Sequence, residues 1–414
     1  MFQLFSPSTN PALPRQNAQF LPRPDPARGT SRVSRMLNPR SALVLAALCG
    51  CILATGLQAG APPGKTRNVV LIISDGLRWQ EVFSGAEERL MTKSLGGVKE
   101  PERLRQEFWR DTPEARRQVL FPFLWTHAAA HGQLFGNQRK GSVVAVTNGK
   151  KFSYPGYNEI LTGAGDPRID SNDKKPNPNV TVFEWLHSRP GFDRRVAVFG
   201  TWDVFPYIFN LERSRLPIWP VSEPKFTAFA IQAPELVNLL KQDTTPMWDD
   251  LTYDSFLFHA AADYLKREQP RLVFVGFGET DEWAHAGRYD KYLTAARHVD
   301  GFIERLWAAT QAIPQYKDQT TFIITADHGR GGGRKDWKSH GARVTGSEGD
   351  WIVVLGPDTP PLGERTNTRP HTQSQIAATI AALLGEDYRA AFPNAGEPLT
   401  DVLGAGAGAA RPRQ

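Results

Sequence analysis

Asn68-Val-Val-Leu-Ile-Ile-Ser-Asp75 is the stretch on which the fold turns. Five of its residues, Val69 to Ile73, form an apolar run, four of them β-branched, with polar residues on either side, the pattern of a strand buried on both faces. The chain then delivers a carboxylate and a glycine, Asp75-Gly76. Two further runs end the same way. Leu272-Val-Phe-Val-Gly-Phe277 is followed closely by Asp281-Glu-Trp-Ala-His285, and Thr321-Phe-Ile-Ile-Thr-Ala326 by Asp327-His328-Gly329. Ligand-type side chains at the carboxyl ends of buried strands are where an open α/β sheet gathers a site. Carboxylate oxygen and imidazole nitrogen are donors that Zn²⁺ accepts.

Outward from these runs, strands alternate with helical patterns. Val143–Thr147, Arg195–Gly200 and Trp351–Leu355 read as strands; Tyr157–Leu161, Val180–His187, Tyr253–Glu268, Tyr292–Ala312 and Ser374–Leu384 read as helices. The alternation predicts an α/β, three-layer sandwich with a largely parallel central sheet covered on both faces. Residues 78–140 read as helices and loops, 164–180 as a loop, and the aromatic, Pro-rich 203–250 as a lid or insertion. One catalytic domain is expected over 67–395, with a flexible tail at 403–414.

The formal charge of +6 on 414 residues does not mark a nucleic-acid binder. Seven of the 49 basic and one of the 43 acidic side chains fall in residues 1–66, leaving 42 of each on a neutral body. Residues 1–35, rich in Pro, Arg and Ser, cannot bury a core. From Met36 a positive segment, the apolar run Ser41–Ala54 and the small residues up to Ala59 follow in the order of a secretory signal peptide, too short for a comfortable membrane span. Met36 is therefore expected to begin the precursor, residues 36–60 to be the signal, and the product to be periplasmic or secreted, with no stable membrane span. Cys49 and Cys51, both inside the apolar run, are the chain's two cysteines, so no disulfide framework is expected in the body.

Asp281 and His285 stand at i and i+4, on one face if a helix starts there; a solvated helix pair shows the same spacing. Asp327 and His328 are adjacent and reach one ion only from an irregular turn, which Gly329-Arg-Gly-Gly-Gly333 permits. Ser153, in Lys150-Lys-Phe-Ser-Tyr-Pro-Gly-Tyr157, sits just ahead of a helix. That is the place of a plain N-cap, and also a place where anions are stabilised.

Taken together, these motifs resemble the alkaline phosphatase superfamily over about residues 68–390, and within it the phosphodiesterase/nucleotide pyrophosphatase branch. The resemblance rests on Asp75 after the first strand, Ser153-Tyr-Pro155 with Thr162-Gly163, Asp281-x-x-x-His285, Asp327-His328-Gly329, and His340-Gly341 ahead of a strand that ends in Gly356-Pro357. It implies two divalent metal ions, Zn²⁺ or alternatively Mn²⁺. One would be held by Asp281, His285 and His340, the other by Asp75, Asp327, His328 and the oxygen of Ser153. Two such ions against three Asp leave a cationic site, suited to a small-molecule phosphate ester. Ser153 is implied as nucleophile through a covalent phosphoserine, and Asn172 as donor to a phosphate oxygen. His371 is the rival to His340, with a supporting or substrate role expected of it; His127, His187 and His298 read as ordinary core or surface histidines. No match to the phosphate-binding Arg of the monoesterases is found, which favours diesters. Phosphomonoesterase, phosphonate hydrolase and phosphomutase are alternatives on the same core. A sulfatase is disfavoured because Tyr157 stands where its motif wants Arg. A non-catalytic metal- or glycan-binding protein is the remaining alternative. Trp202, Phe205, Tyr207 and Trp219 read as lid core or as pocket lining.

Overall fold

The computed structural model describes residues 64–404. The expected leader segments 1–35 and 36–60 and all but the first two residues of the tail 403–414 lie outside the described residues. Eleven strands are described: β1 (Asn68–Ser74), β2 (Gly132–Phe135), β3 (Val144–Ala145), β4 (Val196–Gly200), β5 (Ile218–Trp219), β6 (Leu272–Phe277), β7 (Thr320–Thr325), β8 (Gly349–Asp350), β9 (Ile352–Leu355), β10 (Gly363–Glu364) and β11 (His371–Thr372). Eight of them form one sheet in the order β10-β2-β9-β7-β1-β6-β4-β5; β11-β3-β8 form a second, small one. In the large sheet β9 alone runs against the rest, antiparallel to both β7 and β2. The expectation of a largely parallel sheet holds.

The apolar run of β1 explains the layering. Successive side chains of a strand point to opposite faces. Val70 and Ile72 join one core cluster, with Val273, Val275, Phe322 and Ile324. Val69, Leu71 and Ile73 join the other, with Leu272, Phe274 and Ile323. All seven residues of β1 are buried, so neither face meets water. At about 1.5–3 kcal/mol for each fully buried Val, Leu or Ile, β1 anchors both layers at once.

Five helices matter for the site: α1 (Ser153–Thr162), α2 (Asp254–Glu268), α3 (Glu279–His285), α4 (Tyr289–Gln311) and α5 (Ile376–Leu383). Several boundaries differ from the sequence reading. The helix expected at Tyr292 starts a turn earlier, at Tyr289, whose ring packs on Trp337. The one expected from Ser374 opens as a 3₁₀ turn, Gln373–Gln375, stabilised by a capping box at Thr372. Strand β2 lies inside the stretch read as helices and loops; Gly132-Gln-Leu-Phe135 has no alternation to betray it, and only pairing with β9 makes it a strand. The segment 203–250 consists of short elements, with Phe205, Tyr207 and Trp219 buried in it. Among the described residues no helix is long and apolar enough to cross a membrane.

Candidate metal centre and nucleophile

Parallel pairing brings the three motif segments together. β1 lies between β6 and β7, with Ser74 opposite Phe277 and Ile73 opposite Thr325. The three strands therefore end at one level, and the residues that follow them share one edge. Asp75 leaves β1 directly and is tied to β6 by its N–H, which donates to the Phe277 carbonyl at 2.9 Å. Asp281 and His285 lie one turn apart on α3, and His285 Nε2 stands 3.1 Å from Asp281 Oδ2.

His328 sits at the middle of the cluster. Its Nε2 is 3.4 Å from Asp75 Oδ1, 3.5 Å from Asp327 Oδ2 and 3.9 Å from Asp281 Oδ1. The Gly329 carbonyl, 3.0 Å from Nδ1, can only accept, so Nδ1 carries the proton and Nε2 keeps its lone pair. His340 stacks on His328 with ring centres 4.0 Å apart. Its Nε2 is 2.9 Å from His285 Nε2 and 3.7 Å from Asp281 Oδ1. Two sets of three donors lie within 4.8 Å of one another: Asp75, Asp327 and His328, and Asp281, His328 and His340. The sequence reading assigned His328 to the first set alone; here it borders both.

Ser153 Oγ is 3.4 Å from His328 Nε2. The N-cap of α1 is Phe152, so Ser153 is the first helical residue and its side chain caps nothing. The plain N-cap reading is thus corrected, and the hydroxyl is left to face the cluster. The helix terminus has few amides to offer an anion: Tyr154 N–H donates to Asn172 Oδ1 at 3.0 Å, Pro155 has none, and Gly156 N–H donates to Phe152. Asn172 is fixed by that bond, and its amide nitrogen makes no hydrogen bond among the described residues. The close approach of α1 requires Gly156, because a Cβ there would lie 2.2 Å from the Asp327 carbonyl oxygen.

Buried carboxylates crowd the centre, and neighbours set their protonation. Burial, then the charge of Asp281, pushes Asp75 well up, although Tyr157 donates to its Oδ2 at 2.9 Å. Burial and Asp75 push Asp327 up, although Gly76 N–H donates to its Oδ1 at 3.0 Å. Asp281 goes the other way: burial opposes ionisation, but the Arg330 guanidinium and the His285 and His340 rings outweigh it. Burial lowers His328 to about 4, and burial with His328 lowers His340 to about 2, so both imidazoles are neutral and able to ligate. Asp75 Oδ1 and Asp327 Oδ2 are buried without a hydrogen-bond donor. Orphaned carboxylate oxygens facing a neutral imidazole lone pair fit a divalent cation.

Tyr157, Gly76 and Arg330 were not singled out as site residues from the sequence. Arg330 lay in the glycine run read only for its flexibility, and Tyr157 was noted only as departing from the sulfatase motif. His371 is remote from this cluster's contacts: it packs on Phe135, with Gln375 and Asp401 at its two nitrogens. The supporting or substrate role expected of it is not what its surroundings provide. His127 and His298 pack on Phe123 and Phe302.

A cavity of about 160 Å³ opens over the centre, with Asp75, Ser153, Asn172, Asp281, His285 and His340 on its floor and walls. Trp202, Asp250, Leu251 and Glu282 complete its rim, and none of its lining residues is Lys or Arg.

Residues 238–345, which carry Asp281, His285, Asp327, His328 and His340, match the Metalloenzyme superfamily. No curated protein matches the chain. Among solved structures, the phosphonate monoester hydrolase SpPMH from Silicibacter pomeroyi is 16% identical, with a TM-score of 0.50 over 84% of this chain and 78% of that one. A protein in the alkaline phosphatase superfamily from Vibrio parahaemolyticus is 15% identical, with a TM-score of 0.46 over 89% and 80%. The lipoteichoic acid synthase LtaP from Listeria monocytogenes is 12% identical, with a TM-score of 0.49 over 84% and 78%. The family match carries the resemblance read from the motifs as far as a metalloenzyme superfamily over residues 238–345, and the likeness to SpPMH is one of fold; neither reaches the phosphodiesterase branch.

Proposed function

We propose that this protein is an exported, metal-dependent hydrolase of phosphate esters that works through a phosphoserine at Ser153 and prefers singly charged esters, phosphodiesters first. The carrying observation is the placement of an uncapped Ser153 hydroxyl 3.4 Å from His328 Nε2, inside a cluster of three Asp and three His. Asp75, Asp327 and His328 would hold one Zn²⁺ or Mn²⁺ ion, and Asp281, His285 and His340 a second. When bound, such ions favour the ionised form of the Ser153 hydroxyl and offset the charge of the reacting phosphoryl group.

The chain's own residues do the rest. Ser153 Oγ attacks phosphorus, the bond from phosphorus to the leaving alcohol's oxygen breaks, and that oxygen takes up a proton. Water then displaces Ser153 from phosphorus and restores the hydroxyl. Asn172, held by Tyr154 N–H, has its amide nitrogen free to donate to a non-bridging oxygen. Tyr157 and Gly76 hold Asp75 and Asp327 in place.

The preference for singly charged esters is supported by the rim. A cavity without Lys or Arg, with Asp250 and Glu282 at its edge, has little to offer a second negative charge. A phosphonate monoester is also singly charged and is the second reading. Aryl monoester, diester, phosphonate and sulfate substrates, assayed with metal-loaded protein, decide among these. Diester turnover above the others is expected. No turnover of any of them would sink the hydrolase reading, and N-terminal sequencing of the exported protein tests the leader at 36–60.

A further inference from the structure

We infer that the two ion positions are unequal and that Arg330 makes them so: the Asp75/Asp327/His328 position binds tightly, and the Asp281/His285/His340 position is held weak and exchangeable. The inference rests on the metal reading of the centre.

The side chain of Arg330 is fully buried and forms an ion pair with Asp281 Oδ1. It also donates to the Asp281 carbonyl oxygen at 3.2 Å. Its Nε and Nη1 have no hydrogen-bond acceptor. The guanidinium lies close to Gly76, where a Cβ would stand 2.8 Å from its Nε and 2.6 Å from Asp281 Oδ1. Gly76 has φ of 58°, so both its backbone and its missing side chain make room for this cation. Arg330 does not line the cavity, so it meets no substrate and acts through Asp281.

The charge balance then differs between the halves. At the inner position two carboxylates would face a +2 ion, and each has one orphaned oxygen that such an ion would satisfy. At the outer position the single carboxylate already has a fixed +1 partner, with its second oxygen against His285. An ion arriving there competes with a guanidinium for Asp281 and leaves an excess of positive charge. Exposure follows the same order: the side chains of Asp327 and His328 are 0% exposed, whereas that of His285 is 46% exposed. Burial resists ion loss at the inner position, and water reaches the outer one. Groups that contact the ligands shift metal affinity by roughly 10–100-fold, and a buried like charge such as Arg330 shifts it downward.

The test is calorimetric titration of Zn²⁺ into the full chain after chelator treatment. Two phases are expected, separated by about tenfold or more in affinity. His285→Ala should remove the weak phase alone, and Asp75→Asn the tight one. Arg330→Met, uncharged and of similar length, should tighten the weak phase by roughly 10–100-fold and leave the other in place; Arg330→Lys should keep the weak phase weak. Two equal phases, the opposite assignment of the phases, or an Arg330→Met protein with an unchanged or weaker second phase would overturn the inference. The His285→Ala and Asp75→Asn titrations decide the inequality of the two positions, and Arg330→Gln, smaller and uncharged, decides the part of Arg330 if Arg330→Met does not fold: an unchanged or weaker second phase in Arg330→Gln overturns it. Absence of any bound ion overturns it together with the metal reading. Unequal phases without ester turnover would support it while removing the hydrolase reading.

Discussion

The buried centre beneath the cavity is anchored by long strands, and the cavity's rim by short segments. Asp75 and Asp327 follow strands of seven and six residues, each paired on both sides and buried throughout. Trp202, Asp250 and Leu251 belong to connections, joined by an isolated bridge between Trp202 and Leu251 and by the Trp202 indole N–H donating to Asp250 at 3.2 Å. Asp250 is exposed, whereas Asp327 and His328 are not. Reacting groups held on continuous strands keep their geometry, while loops can vary and so suit selection of the leaving group.

That contrast can be broken at either side. Ser153→Ala should lower turnover by on the order of 10⁴-fold or more while bound metal remains; retained activity would show Ser153 to be the wrong nucleophile. The crowded floor should also respond to pH. Asp75, raised from 3.8 to about 8, favours the metal-free fold while protonated. That contribution is complete below about pH 4 and is lost as the pH rises through 8. The thermal midpoint of chelator-treated protein should therefore fall across this window, and Zn²⁺ should flatten the slope. An apo protein with a pH-independent midpoint would contradict the charge crowding.

Smaller changes sharpen the comparison. Gly156→Ala drives a Cβ into the Asp327 carbonyl, and a loss of about 1–3 kcal/mol is expected from denaturant midpoints. Tyr157→Phe removes the donor to Asp75 and should weaken Zn²⁺ binding by roughly tenfold with little change in the fold. At the rim, Trp202→Ala should shift the ratio of kcat/KM between large and small leaving groups by about tenfold, with stability within about 0.5 kcal/mol of the parent. A rim variant that unfolded the protein would erase the division between floor and rim.

Much of the floor was legible in the chain because it is local. A buried strand writes itself as an apolar run, and the ligand follows within a few residues, as at Asp75, Asp281 and Asp327-His328. The rival placements of the last histidine could not be separated that way. His340 reaches the cluster from a loop and His371 packs on Phe135, a difference set by contacts distant in sequence. β2 escaped for the same reason, since it is a strand only because β9 lies beside it.

By itself, the sequence determined the layered α/β fold and the edge at which the ligands gather, because strand periodicity and the residues next to it are short-range properties; Ser153 joined them only through the family resemblance of its motif. Only the tertiary structure decided that Ser153 is uncapped, that His328 borders both donor sets, and that Arg330 is buried against Asp281. These depend on how closely α1, the glycine run after β7 and Gly76 approach one another, and packing distance has no imprint in local pattern.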